Sequence, residues 1–216
     1  MNKACTLALW VALIGCDNDP AQGKTMAKVS APAVTTQASS SSTAANKYVF
    51  SNAGSKLEFV GAKVTRKHEG AFHVFSGAID LVEAEPQKSV ATLEIATASL
   101  TADDPKLTEH LKSPDLLDVV KYPKATFRST SIAPSDAPPA THSVTGNLAL
   151  HGVTKSITFP VTVHVRGDAL DVEAEFAIDR KQFGVVYPGM PDDLIKDEVL
   201  LKAQLHGMKM PLADPH

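Results

Sequence analysis

Across most of this chain, apolar side chains return at every second position. Leu150 to Val165, "LHGVTKSITFPVTVHV", puts Ile157, Phe159, Val161, Val163 and Val165 on one side of an extended backbone. Ser156, Thr158, Pro160, Thr162 and His164 lie on the other. A period of two is that of a β-strand with one dry face. The same alternation runs through Leu57, Phe59 and Gly61, through Val144, Gly146, Leu148 and Leu150, through Leu170 to Ile178, and through Val199 to Leu205. Segments beginning near Tyr48, Ser55, Gly70, Gln87, Lys124, Thr141, Thr154, Asp168 and Lys196 give eight or nine strands. Short turns carrying Gly, Asn, Asp or Pro join most of them. No strand-helix rhythm accompanies them, so the pattern predicts an all-β domain, an antiparallel sheet closed into a barrel or folded into a sandwich.

One stretch breaks the period. In "ADDPKLTEHLKSPDLLD", Asp104 is placed as an N-cap, Pro105 at the first helical position, and Leu107 and Leu111 one turn apart before Pro114. This predicts a short helix that caps one end of the sheet. The run Ser135 to Ala140, "SDAPPA", reads as a hairpin loop.

The N-terminus is organised differently. "MNKACTLALWVALIGC" has a basic residue at Lys3 and an apolar run from Ala4 to Ile14, too short to span a bilayer and suited to an export signal. Its ending Leu13-Ile14-Gly15-Cys16 resembles a bacterial lipobox, which implies removal of residues 1–15 and acylation of Cys16. Cys5 leaves with the signal, so the mature chain holds no disulfide of its own. Residues 16–46 are dominated by Ala, Ser, Thr and Pro and contain no aromatic residue after the cysteine, which predicts a disordered tether of roughly 30 Å reach. The folded domain is expected over residues 47–216. Together these features place the protein in a bacterial envelope, facing the periplasm.

Net charge of −3 and scattered lysines argue against nucleic acid. No HExxH or paired CxxC spacing marks a metal, and His68 and His73, five residues apart on extended chain, face opposite ways. No GxSxG elbow is present. No cofactor and no catalytic residue is therefore assigned. His110 on the expected helix, and the neighbours Asp179 and Arg180, are left as rim residues or headgroup contacts. The phenylalanines, all between Phe50 and Phe183, either fill a closed core or line a bore.

The order of several longer pieces is more specific. "SKLEFVGAKVTRKHEGAFHVFSGAIDL", "HLKSPDLLDVVKYPKATF", "VTGNLALHGVTKSITFPVTV" and "AIDRKQFGV" with "IKDEVLLKAQL" resemble the YceI-like family of exported, lipocalin-like polyisoprenoid-binding proteins. Leu116-Leu117 and "GVVYPGMPDD" depart from the usual pattern, as do the lipobox and the long N-terminal segment. The resemblance implies an eight-stranded antiparallel barrel with a helical segment at one end and a tunnel for a long isoprenoid chain. It implies a lining of Leu57, Phe59, Phe72, Ile79, Phe127, Leu148, Phe159, Val161, Val163, Phe176 and Phe183. A bound isoprenoid lipid or quinone, and a membrane reached through Cys16, are the implied partners; self-association into a homodimer is left open. Two other readings stand beside this one: a closed envelope barrel that binds a protein, and a lipid-modifying enzyme using His110, His151 or Asp179.

Overall fold

The computed structural model describes residues 19–33, 46–82, 86–191 and 193–211. The export signal of residues 1–15, Cys16 and tether residues 34–45 lie outside the described residues.

Among the described residues, fourteen strands and one α-helix follow one another: β1 (Lys28–Ser30), β2 (Asn46–Ser51), β3 (Lys56–Ala62), β4 (Lys67–Phe72), β5 (Phe75–Leu81), β6 (Val90–Ala96), β7 (Leu100–Ala102), α1 (Pro105–Lys112), β8 (Lys124–Pro134), β9 (His142–Leu150), β10 (Val153–Arg166), β11 (Ala169–Asp179), β12 (Gly189–Met190), β13 (Asp193–Leu194) and β14 (Glu198–Lys209). Three pairs of them form single kinked staves, β2 with β3, β4 with β5 and β6 with β7. The two halves of each stave pair with the matching halves of the next in nearly continuous register. β8, β9, β10, β11 and β14 supply five more staves, each antiparallel to its neighbour. β14 returns to β2 and β3, which closes an eight-stranded up-and-down antiparallel barrel.

The kinks lie side by side. Asn52 N–H donates to the Phe75 carbonyl, Ala96 N–H to that of Val74, and the Ser99 hydroxyl accepts from the His73 and Val74 amides. Beyond this line β7 pairs with β4 but, among the described residues, with no further strand. The gap beside β7 is spanned by α1 and the chain that leads on to β8. Asp104 caps the helix as its sequence predicts, accepting from the Lys106 and Leu107 amides at 2.8 and 3.0 Å, and Ser113 ends it before Pro114. At the β9–β10 turn, His151 and Gly152 both have positive φ, the type I′ geometry that fits the twist of a tight hairpin.

The expectation of a disordered tether over residues 16–46 is corrected at residues 19–33. β1 pairs with β10 through Lys28–Thr158, Val29–Ile157 and Ser30–Ser156. Just before it, Ala27 N–H donates to the Ala177 carbonyl and Ala177 N–H to that of Thr25, so the same segment also pairs with β11. The reason lies in the β10–β11 hairpin, whose ladder covers Thr162–Arg166 and Ala169–Glu173 and then opens. Backbone groups in that opening need partners, and residues 25–30 provide them while Ala27 and Val29 cover Ile157, Phe176 and Ile178. Aromatic-poor composition signals disorder when a segment must build its own core; here a groove in the barrel supplies one.

Candidate functional site

The inward face of the alternation does not meet itself in a solid core. It encloses two cavities end to end along the barrel. One, of about 210 Å³, lies toward the loops 135–141 and 167–168; the other, of about 420 Å³, lies under α1 and the 180–197 segment. Phe72, Ile95, Leu148 and Leu201 line both and form the waist between them.

The wall of the first chamber is drawn from every stave. Leu57, Ile79, Phe127, Phe159, Val161, Val163 and Phe176 all line it, and its polar side chains are Glu58, Ser89, Thr92, His142 and Lys202. Phe59 lines the second chamber. Ten of the eleven residues expected in the lining are therefore on the cavity wall. Phe183 is the correction: it is fully buried in a packed cluster with Ala27, Ile157, Phe176 and Ile178, and lines neither chamber. Its strand ends at Asp179 and the chain turns into a short 3₁₀ segment, Arg180–Phe183, which delivers the ring to that cluster and not to the lining that the resemblance implied. Val165, on the same face of β10 as Phe159, is 44% exposed near the end of its hairpin.

Large rings leave room for a bore because glycines face them. Gly70 is the direct cross-strand partner of Phe59, and Gly77 of Phe50. A Cβ at Gly70, Gly77 or Gly146 would meet the ring of Phe59, Phe50 or Phe127 at 2.2, 2.3 and 2.4 Å. Each ring lies flat over a glycine, so it adds apolar wall without crossing the lumen. Phe127 is 5.5 Å from Phe159 between ring centroids, and Phe159 stacks on Phe176 at 4.1 Å, giving one continuous aromatic side to the tunnel.

The second chamber has its own polar side chains, Lys63, His68, His110, Arg180 and Tyr187. Leu107, Leu111, Leu116 and Leu117 roof it from the helical segment, and His110 stands edge-on to Tyr187 at 5.0 Å. His110 Nε2 lies 3.3 Å from Asp115. Lys63 pairs with Asp193, and Asp103 with His68 and Arg66. The Thr65 hydroxyl, ahead of Lys63, holds the Asp193 carboxyl below its ordinary value.

Arg180 touches this chamber but works as a clamp. It is 5% exposed and donates to the carbonyls of Val185 (2.6 Å), Lys196 (3.1 Å) and Ile195 (3.4 Å) and to Asp197. Burial lowers its pKa, with Asp197 and Asp179 opposing; an arginine stays charged through such a shift. Asp179 does not line either chamber and accepts from the Lys181 amide. His151, in its turn, faces the Tyr122 ring and the Phe183 carbonyl. Among the described residues no cluster of three His, Cys, Asp or Glu is placed to hold a metal ion, and no buried side-chain polar atom lacks a partner. Lining residues beyond those expected include Ile95, Tyr187 and Leu201. Ile95 and Leu201 carried the period-two signal, whereas Tyr187 sits in an irregular segment with no periodicity to read.

Residues 48–206 match the YceI-like domain family. A UPF0312 protein of Pseudomonas putida is 35% identical over 126 residues, which are 56% of this chain and 65% of that one, so the match spans just under two thirds of the relative. The crystal structure of BcnA from Burkholderia cenocepacia is 30% identical and superposes with a TM-score of 0.65 over 72% of this chain and 97% of that one. A polyisoprenoid binding domain from Saccharophagus degradans, implicated in plant cell wall breakdown, shares the fold with a TM-score of 0.60 at 18% identity, over 77% and 99% of the two chains.

Proposed function

Because the chain belongs to the YceI-like family, we propose that it is a non-enzymatic carrier that holds a long-chain isoprenoid lipid, a polyprenyl lipid or a quinone tail, in the two-chambered tunnel. The observation that supports this reading is the bore itself, two mainly apolar cavities in line along the barrel with a shared waist. A lipid would place its hydrocarbon tail toward the narrow chamber and its head beside His110 and Tyr187. No cofactor other than this lipid is required.

The energetics favour exchange over tight capture. Moving a chain from water into the tunnel gains about 0.8 kcal/mol per buried CH₂. The lipid, however, comes from a bilayer as apolar as the tunnel, so transfer between the two is close to balanced. Acylation of Cys16 in the bacterial envelope would hold the barrel at the membrane, where effective concentration replaces affinity. Transport, storage or stress protection of such lipids is the role this fits.

Native mass spectrometry with organic extraction tests the reading. The mature chain with Cys16→Ser, purified from a bacterial envelope without detergent, is expected to carry a stoichiometric mass that extracts as a prenyl lipid or quinone. A bare polypeptide mass that persists after incubation with such lipids would remove the carrier reading.

A further inference from the structure

We infer that the opening between β10 and β11 is the portal through which the lipid reaches the tunnel, and that residues 25–30 are a removable bolt across it. The inference rests on the lipid-binding reading above. β10 and β11 are paired from Thr162 and Glu173 to their turn, and separate from there toward the helical end. The separated part of β10, Val153 to Val161, is about 30 Å long at the rise of a strand. It lies beside both chambers: Val161 and Phe159 line the first and neighbouring Leu148 of β9 the waist, while Ile178 of β11 lines the second. A slender chain can therefore pass through this opening sideways, without being threaded end-on through the loops.

The bolt is held less firmly than the rest of the wall. β1 meets β10 over three residues, whereas β9 meets β10 over Val153 to Val161 without interruption. On its other edge it has the two hydrogen bonds with Ala177, at 2.8 and 2.9 Å. Its inward side chains are small, Ala27 and Val29, and its flanking polar contacts, Lys24 with Glu175 and Ala33 with Asn147, are exposed. The other interruption, beside β7, is covered differently. There Leu116 is buried, Thr97 holds the Pro123 and Tyr122 carbonyls, and Thr108 bonds the Ala102 backbone. Of the two, the β10–β11 opening is the one whose cover can leave without unmaking the barrel.

Removal of the bolt also has an inner counterpart. Ile157 and Phe176 both pack against Ala27 and line the first chamber, so once residues 25–30 leave, these two side chains are the remaining partition between solvent or bilayer and the bore.

A reversible lock tests this. Ser30 and Ser156 are direct antiparallel partners, so their Cα atoms stand about 4.5–5.5 Å apart, within the span of a disulfide. In a full chain with Cys5→Ser and Cys16→Ser, the S30C/S156C pair is oxidised and mixed with phosphatidylcholine vesicles carrying an octaprenyl benzoquinone. The oxidised protein is expected to load roughly tenfold or more slowly than the same sample after reduction, with equal final occupancy. Equal rates in the two states would overturn the portal and leave the lipid reading standing. No quinone bound in either state overturns the lipid reading and the portal with it. Hydrogen exchange on the chain without engineered cysteines gives an independent check, in which the Ala27 and Ala177 amides exchange at least about tenfold faster than those of the β9–β10 ladder. Equal protection in the two places would overturn the bolt.

Discussion

Phe159 and Phe176 lie face to face across the opened hairpin, ring centroids 4.1 Å apart and planes inclined by 17°, at positions the β10–β11 register would make direct partners had the ladder continued. The stack joins the two strands by side chains where their ladder has ended and forms part of the tunnel wall. Phe159→Asp or Val161→Asp therefore places a carboxylate in an apolar chamber, while Thr162→Asp adds one on the outward face. Lipid co-purification is expected to fall to background in the first two variants and to persist in the third, read by extraction and mass spectrometry. Equal lipid in all three would sink the tunnel assignment.

The ring-over-glycine pairing predicts an overpacking cost. Gly146→Ala brings a methyl to within 2.4 Å of Phe127 and 2.6 Å of the Arg128 carbonyl, so the ring must swing into the lumen. A loss of about 2 kcal/mol is expected, or roughly 5 °C in Tm, together with reduced lipid occupancy. Combining Gly146→Ala with Phe127→Leu should recover only the part of the loss that comes from the ring, because the approach to the Arg128 carbonyl remains.

Arg180 donates to three backbone carbonyls, those of Val185, Ile195 and Lys196. Arg180→Met is expected to cost about 3 kcal/mol in denaturant unfolding, because buried acceptors are left unpaired. It should also open the 185–197 segment to proteolysis before the barrel unfolds.

Helix α1 carries a pH dependence. The Leu107 amide, followed by that of Lys106, holds the Asp104 carboxyl below its ordinary 3.8. A carboxyl lowered on folding stabilises fully above its unfolded pKa and loses that contribution as pH falls through the lower folded value. The Tm difference between the unaltered chain and Asp104→Asn should thus be constant above about pH 5 and shrink below pH 3.8. A difference that stayed constant down to pH 2 would mean the cap acts without its charge.

Cys16→Ser removes the proposed acylation site. The variant is expected in the soluble envelope fraction, and its continued recovery with membranes after a high-salt wash would count against the lipid anchor.

Much of the barrel was legible because its staves alternate strictly. β8, β9, β10, β11 and β14 all begin within about two residues of where polar turns give way to period-two runs, and ten of eleven expected lining residues face the bore. What escaped was whatever alternation does not encode. The kinks that split three staves leave the period nearly intact on either side of them. Phe183 lies outside the alternation, five residues beyond inward-facing Ile178, and only the turn at Arg180 decides where its ring goes. The bolt of residues 25–30 has a composition that offers no fold by itself; its partner surface lies about 130 to 150 residues away in Ser156–Thr158 and Ala177.

The seam that closes the barrel is made last. Every other stave pairs with the one before it in sequence, but β14, at Glu198–Lys209, must reach back to Lys56–Val60 and Tyr48–Val49. A chain delivered N-terminus first therefore cannot complete its wall until its final dozen strand residues arrive. Long-range closure of this kind is slow compared with hairpin formation, so the bore has no complete wall until its last stave is in place, however early the other seven have paired.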